Sequence, residues 1–161
     1  MSREAMDRQG LALISNLLVK IGLREPPTLR GVLHILVLDD DKRRHGWFVR
    51  RFSGDSLDIA EDVATAREFL KTATYDGIFL DHDLLPEHYK SRRRDDERTG
   101  YAIALWLSEH PDSQGGATII SHTLNGDGAL RMVQKLREGG RHAEYVPFPL
   151  LEERLKGYWK R

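Results

Sequence analysis

Three short apolar runs punctuate the chain, and each runs straight into polar residues. Ile35-Leu36-Val37-Leu38 precedes Asp39-Asp40-Asp41, Ile78-Phe79-Leu80 precedes Asp81-His82-Asp83, and Thr118-Ile119-Ile120 precedes Ser121-His122. Runs this short and this uniformly apolar predict strands buried on both faces, as in a parallel sheet. The first strand is expected over Val32 to Leu38 and another over Gly77 to Leu80, with weaker strands at Leu57 to Ala60 and Glu144 to Val146. Between them apolar positions recur at helical spacing: around Arg43 to Phe52, through Ala64, Phe69 and Leu70, over Tyr101 to Leu107, and through Leu130, Val133 and Leu136. A short helix near Leu151 to Leu155 closes the pattern. Alternating strands and helices of these lengths predict an α/β fold, a doubly wound parallel sheet with right-handed crossovers.

Two segments stand outside this alternation. From Arg3 to Leu23, Leu11, Ile14, Leu18 and Ile21 fall at helical spacing, and Glu25-Pro26-Pro27-Thr28 stops the helix. Residues 1–30 therefore read as an amphipathic helix and linker, and 31–161 as the α/β domain. That helix is expected to pack on the domain, pair two copies in a homodimer or dock a partner protein. The stretch Lys90 to Arg98 carries mixed charge and no apolar residue, so it reads as a mobile loop beside the strand edge.

Composition narrows the possibilities. Of 161 residues, 40% are hydrophobic and 31% charged, as expected of a soluble domain with a sizeable core. The 25 Lys and Arg residues balance 25 Asp and Glu, which gives no case for nucleic-acid or membrane binding from charge. Without cysteine there are no disulfides, thiolate catalysis or Cys-based zinc sites, which fits a cytoplasmic protein. No stretch approaches the roughly 20 apolar residues needed to cross a bilayer, and Arg3, Glu4, Asp7 and Arg8 interrupt any signal-peptide core.

Parallel strands present their carboxyl ends along one edge, where ligands of open α/β sheets bind. The carboxylates, histidines and hydroxyl that follow the apolar runs are therefore expected to meet in one crevice. Asp39, Asp40 and Asp41 cannot all ionise cheaply at close range without a compensating cation. A divalent ion such as Mg²⁺, or Mn²⁺, held by Asp39, Asp40 and Asp81 answers that need, and Asp81 is alternatively a nucleophile. Helix capping explains one aspartate in each cluster but not two or three. His82 and His122 supply an acid and a base able to flank a scissile bond, in an order left open, with Asp83 orienting His82. His82-Asp83 also evokes the metal-binding HD hydrolases, but those are all-helical and a strand precedes the pair here. Ser121 through Gly128, with Asn125 among them, reads as a strand end opening into a helix, an anion cradle. Arg43 and Arg44 either offset phosphate charge or form a solvated helix face.

At these residues the chain resembles response-regulator receiver domains. Ile35-Leu-Val-Leu-Asp39-Asp40-Asp41 looks like their first strand and acidic pair, and Tyr75-Asp-Gly-Ile-Phe-Leu-Asp81 like the strand that ends in the phospho-accepting aspartate. Leu85-Pro86 and Gly100 resemble the following loop, Ser121 falls where receivers keep a switching Ser or Thr, and Val146-Pro147-Phe148 where they show Lys-Pro-Phe. The lysine is missing, so the resemblance implies no ordinary phosphorylation switch. A divergent branch, the cyclic-phosphate processing receiver-like family, is similar in Leu38-Asp39-Asp40 with Arg43, Leu80-Asp81-His82-Asp83-Leu84, and His122-Thr123-Leu124-Asn125 with Gly128 and Met132. The resemblance implies a five-stranded sheet of order 2-1-3-4-5 and a cyclic-phosphate ligand such as a nucleotide or ADP-ribose cyclic phosphate.

The expected activity is a metal-assisted phosphoesterase acting on such a small phosphorylated ligand. Asp39, Asp40 and Asp81 hold the cation, His82 and His122 exchange protons, and Ser121, Asn125 and Arg43 contact phosphate. Its rival is a non-catalytic pseudo-receiver that binds a signalling partner, which the missing lysine favours and the two histidines oppose. A third possibility takes Asp39 as the nucleophile of a haloacid-dehalogenase-like phosphatase. That family expects a lysine and a late acidic pair, whereas Glu152-Glu153 lies past the last strand.

Overall fold

Each apolar run becomes a strand because its alternate residues feed two separate cores. In the structure, a computed structural model describing residues 30–85 and 95–159, β1 spans His34–Leu38, β2 Ser56–Ala60, β3 Gly77–Leu80, β4 Thr118–Ser121 and β5 Ala143–Tyr145. The expected N-terminal helix, its proline stop and Lys90 to Arg94 of the charged insertion lie outside the described residues. All neighbouring strands pair in parallel in the order β2-β1-β3-β4-β5, the 2-1-3-4-5 order implied by the receiver resemblance.

The helices are α1 (Lys42–Arg51), α2 (Val63–Thr72), α3 (Tyr101–Glu109), α4 (Gly126–Glu138) and the short α5 (Leu151–Arg154). Ile35, Val37, Phe79 and Ile120 turn to one face and pack with Phe48 and Phe52 of α1, Val146, and Leu151 and Leu155 around α5. Leu36, Leu38, Ile78, Leu80 and Ile119 turn to the other, against Ala66 and Leu70 of α2, Ile103 and Leu107 of α3, and Met132 and Leu136 of α4. The period of two thus divides one strand between two helical layers. The first strand starts at His34 rather than Val32, because Val32 is exposed and the Leu33 N–H goes to the Asp55 carboxylate. Among the described residues no helix is long and apolar enough to cross a membrane.

Three helix starts are capped by side chains close to the strand ends. Asp41 accepts the Arg43 N–H at α1, Asp62 the Thr65 N–H at α2, and Asn125 the Gly128 N–H at α4. A buried glutamine fastens the opposite, amino-terminal edge of the sheet. Gln114, with φ at 58°, accepts the Tyr75 N–H at 2.9 Å and donates to the carbonyls of Leu70 and Ala73 at 3.0 and 2.6 Å. It satisfies carbonyls that the end of α2 leaves without an intrahelical partner.

Replacing Gln114 by Ala strands three backbone groups at once. Gln114→Ala is expected to lower unfolding free energy by about 2–4 kcal/mol, read as a reduced denaturant midpoint at unchanged slope.

Candidate functional site

Backbone hydrogen bonds carry the sheet one residue past each strand and so fix the residues that follow. The Asp39 N–H reaches the Ala60 carbonyl at 3.0 Å, Asp81 N–H that of Leu38 at 2.9 Å, and His122 N–H that of Leu80 at 3.0 Å. Leu80 pairs with Ser121, so Asp81 is level with His122, and Leu38 pairs with Leu80, so Asp39 is level with Asp81. Strand parity then turns these three side chains to the α1 face.

There they form one network. His122 Nε2 donates to Asp39 Oδ2 at 2.7 Å, and Arg44 of α1 clasps the same carboxylate through Nε at 2.7 Å and Nη2 at 2.8 Å. The Arg44 Nη2 also donates to Asp81 Oδ2 at 2.5 Å. Asp81 further accepts the His82 N–H at 2.8 Å and the Thr123 hydroxyl. Asp39, Asp81 and His122 are 0%, 2% and 1% exposed, while the Arg44 side chain, at 14%, closes the network toward solvent. The His122 ring is wedged against Phe48, Phe79 and Phe148. Its Nδ1 is buried with no hydrogen-bond partner.

The charges in this network respond differently to the same burial. Burial alone would raise the Asp39 carboxyl, but the hydrogen bonds from His122 and Arg44 outweigh it and hold Asp39 well below the carboxylate range. Asp81 is pushed up, chiefly by burial, with the positive side chains around it compensating only in part. Asp40 is also raised, by burial and by the negative charges of Asp81 and Asp39. The guanidinium of Arg44 is held more firmly protonated by Asp39 and Asp81 than its burial can offset. Two carboxylate oxygens and an imidazole nitrogen, from Asp39, Asp81 and His122, lie within 4.8 Å of one another. That donor set fits a small divalent cation, and its nitrogen suits Mn²⁺ as well as the oxygens suit Mg²⁺.

His82 belongs to a second network on the other face of the sheet. Its Nδ1 meets Asp83 Oδ1 at 2.7 Å and its Nε2 meets Asp95 Oδ1 at 2.9 Å. Arg131 of α4 braces Asp95 through two bonds of 2.6 and 3.0 Å. Burial would raise Asp95, but Arg131 and His82 hold it below the ordinary range, so Nε2 is the donor of that pair. The Asn125 amide donates to both Asp83 oxygens at 3.3 and 3.2 Å. The His82 ring lies flat against the start of α4, where a Cβ on Gly128 would stand 2.6 Å from its Cγ. The expected single crevice is thus two networks, back to back, joined by the Asp81-His82 backbone.

The remaining predicted residues fall in instructive places. Asp41 is a helix cap, and Arg43 pairs with it at 3.0 Å from a side chain 91% exposed, so Arg43 lies on the solvent face while Arg44 enters the site. Asp40 sits half-buried beside the cluster and outside the group of three close donors. The Ser121 hydroxyl is buried without a partner, and the hydroxyl that reaches Asp81 is that of Thr123. Asn125 spends its carbonyl on the Gly128 N–H and its amide on Asp83. Arg44's bridge, Thr123 and Asp95 are absent from the site expected from sequence. No sequence pattern marks any of the three: only the docking of α1 separates Arg44 from Arg43, the chain leaves β4 before Thr123, and the charged insertion that holds Asp95 has no apolar period. Val146, which the resemblance set where receivers keep a lysine, is 5% exposed within the α1-side core, and the positive charge on Asp81 comes from Arg44 of α1.

The fold recurs widely, with 90 solved chains matching. A response regulator from Burkholderia pseudomallei, described with a phosphorylated aspartic acid, calcium ion and citrate, aligns at a TM-score of 0.56 and 19% identity over 77% of this chain. The chain spans 65% of that protein's length. The signal receiver domain of a LuxO repressor protein from Vibrio parahaemolyticus aligns at 0.57 and 16% identity, over 79% of this chain and 86% of the other. That of a DNA-binding response regulator (merR) from Colwellia psychrerythraea 34H aligns at 0.54 and 22%, over 78% and 96%. At these identities the likeness concerns the fold. Among curated proteins none matches in sequence. The profile of the Cyclic-phosphate processing Receiver domain matches residues 34–138, the stretch that carries both networks. With Asp39, Asp81, His82 and His122 all inside that match, the chain belongs to the cyclic-phosphate processing receiver family.

Proposed function

We propose that this receiver domain is a metal-assisted phosphoesterase that opens a cyclic phosphate, or removes a terminal one, on a nucleotide-like ligand. The observation that carries the reading is the convergence of Asp39, Asp81 and His122, from three separate strand ends, with ligand atoms within 4.8 Å. Membership of the cyclic-phosphate processing family supports the ligand class. The Burkholderia regulator, described with a phosphorylated aspartic acid and a calcium ion, supports a fold able to hold both groups.

Asp39, Asp81 and His122 would hold Mg²⁺ or Mn²⁺, with Asp40 at the rim adding negative charge. Once bound, the cation polarises phosphoryl oxygens and lowers the pKa of coordinated water. Without the cation His122 Nε2 donates to Asp39, and it would give up that proton to become a ligand; its ring is locked among three phenylalanine rings. His82 is the acid–base group. Asp83, steadied by Asn125, fixes the ring through Nδ1. Nε2 donates to Asp95 from a side chain 1% exposed, so a leaving oxygen takes its proton only on a ligand that reaches over the sheet edge and displaces Asp95. The phosphate contact expected of Arg43 passes to Arg44, whose planar fork matches two phosphate oxygens.

The non-catalytic reading, a pseudo-receiver that binds a partner, is favoured by the buried Val146 in place of lysine. Turnover separates the two. With Mn²⁺ or Mg²⁺ the purified chain is expected to hydrolyse 2′,3′-cyclic nucleotides. Asp81→Asn and His82→Ala are each expected to lower kcat by roughly 10² to 10⁴. Equal rates in both variants and wild type would leave only the binding module.

A milder variant tests the position of His82 rather than its presence. Gly128→Ala pushes a methyl into the ring, and a displacement of about 1 Å typically removes on the order of 10² in rate. The expected result is reduced kcat, shifted His82 imidazole NMR resonances and unchanged Mn²⁺ affinity. An unchanged kcat with shifted resonances would remove His82 from the chemistry.

A further inference from the structure

We infer that Arg44 is an exchangeable cation, bridging Asp39 and Asp81 when the site is empty of phosphate and leaving them for a phosphate group when ligand arrives. Metal and phosphate would then bind cooperatively. The inference rests on the metal-assisted reading above and concerns how that site is controlled.

The geometry makes guanidinium and metal mutually exclusive. Asp39 Oδ2 already accepts from Arg44 Nε at 2.7 Å and from His122 Nε2 at 2.7 Å, and Asp81 Oδ2 accepts from Arg44 Nη2. The donor cluster of Asp39, Asp81 and His122 draws on those same carboxylates. A divalent ion placed there would share the oxygens' lone pairs with the guanidinium and sit within a few ångströms of its charge. At low effective dielectric that repulsion disfavours holding both at once. The two cations compete for the same carboxylates, so a metal enters only where Arg44 swings off them.

Arg44 is also built to move. Asp39, Asp81 and His122 are nearly wholly buried, whereas the Arg44 side chain is 14% exposed and rises from the first turn of α1 at the mouth of the site. Asp41 Oδ2 lies 3.8 Å from its Nη1, and the Phe148 ring lies 5.9 Å from its Cζ. These give the guanidinium a polar and an aromatic neighbour along an outward path. What can draw it from two carboxylates is a group that accepts its fork equally well and carries equal or greater charge, which is the chemistry of a phosphate. In the absence of phosphate the guanidinium keeps buried carboxylates neutralised and the metal weakly held.

Linkage makes the coupling reciprocal and therefore measurable. Free Mn²⁺ is followed by electron paramagnetic resonance at micromolar metal, with and without millimolar inorganic phosphate, against a protein-free phosphate blank. Wild type is expected to bind Mn²⁺ about 10-fold or more tightly when phosphate is present. Arg44→Met, similar in length and uncharged, is expected to bind Mn²⁺ without phosphate about as tightly as wild type does with it, and to gain less than 2-fold on adding phosphate. Should Arg44→Met fail to fold, Arg44→Lys keeps the charge and loses the fork. Its metal affinity stays low, and phosphate strengthens it several-fold less than in wild type. Wild type binding Mn²⁺ tightly alone, or either variant retaining full coupling, overturns the exchange and leaves the metal site standing. Wild type and variant both failing to bind Mn²⁺ under any condition overturns the exchange and the metal-assisted reading together.

Discussion

Two carboxylates buried side by side at the ends of adjacent strands need a positive charge between them, and much of this domain is arranged to supply one. Asp39 and Asp81 are level because β1 and β3 pair in register, and neither has appreciable access to water. Arg44 bridges them from α1, and His122 adds a donor from β4. Removing one partner from such a buried network typically destabilises by about 3–5 kcal/mol, because the charge left behind is neither solvated nor paired. The apolar packing of α1, through Phe48 and Phe52 against Phe79, thus also holds Arg44 over the carboxylates.

Strand parity divides the chemistry. Asp81 and His122 share a register level and turn toward α1, while His82, one residue further on, turns toward α4. Each histidine consequently has its own carboxylate: Asp39 for His122, Asp83 and Asp95 for His82. The positive charge beside Asp81 comes from Arg44, on the first turn of α1. The result is an acidic sheet edge with one imidazole on each face, His122 toward α1 and His82 toward α4.

The strands and the convergence of Asp39, Asp81 and His122 were legible because they follow from short apolar runs and from the rule that parallel strands share a carboxyl edge, whereas the strand order came with the resemblance to receiver domains. The division between the two histidines was legible in principle, since it needs only the pairing of Leu80 with Ser121, but that register is a tertiary fact. Arg44 and Arg43 differ by one position, about 100° on a helix, and only the docking of α1 decides which enters. Ser121 and Thr123 share a parity, yet the chain leaves the strand between them and brings Thr123 over Asp81. Asp95 lies in a segment without hydrophobic pattern, so its return to His82 is set by contacts far apart in sequence.

The central claim is that three strand ends form a cation site at which a phosphate is processed. A crystal of the full chain soaked with Mn²⁺ and 2′,3′-cyclic AMP tests it most directly. An anomalous manganese peak among Asp39, Asp81 and His122, with the phosphate of substrate or product beside it, is the predicted result. A manganese-free edge with Arg44 still clasping both carboxylates and no phosphate nearby would contradict it.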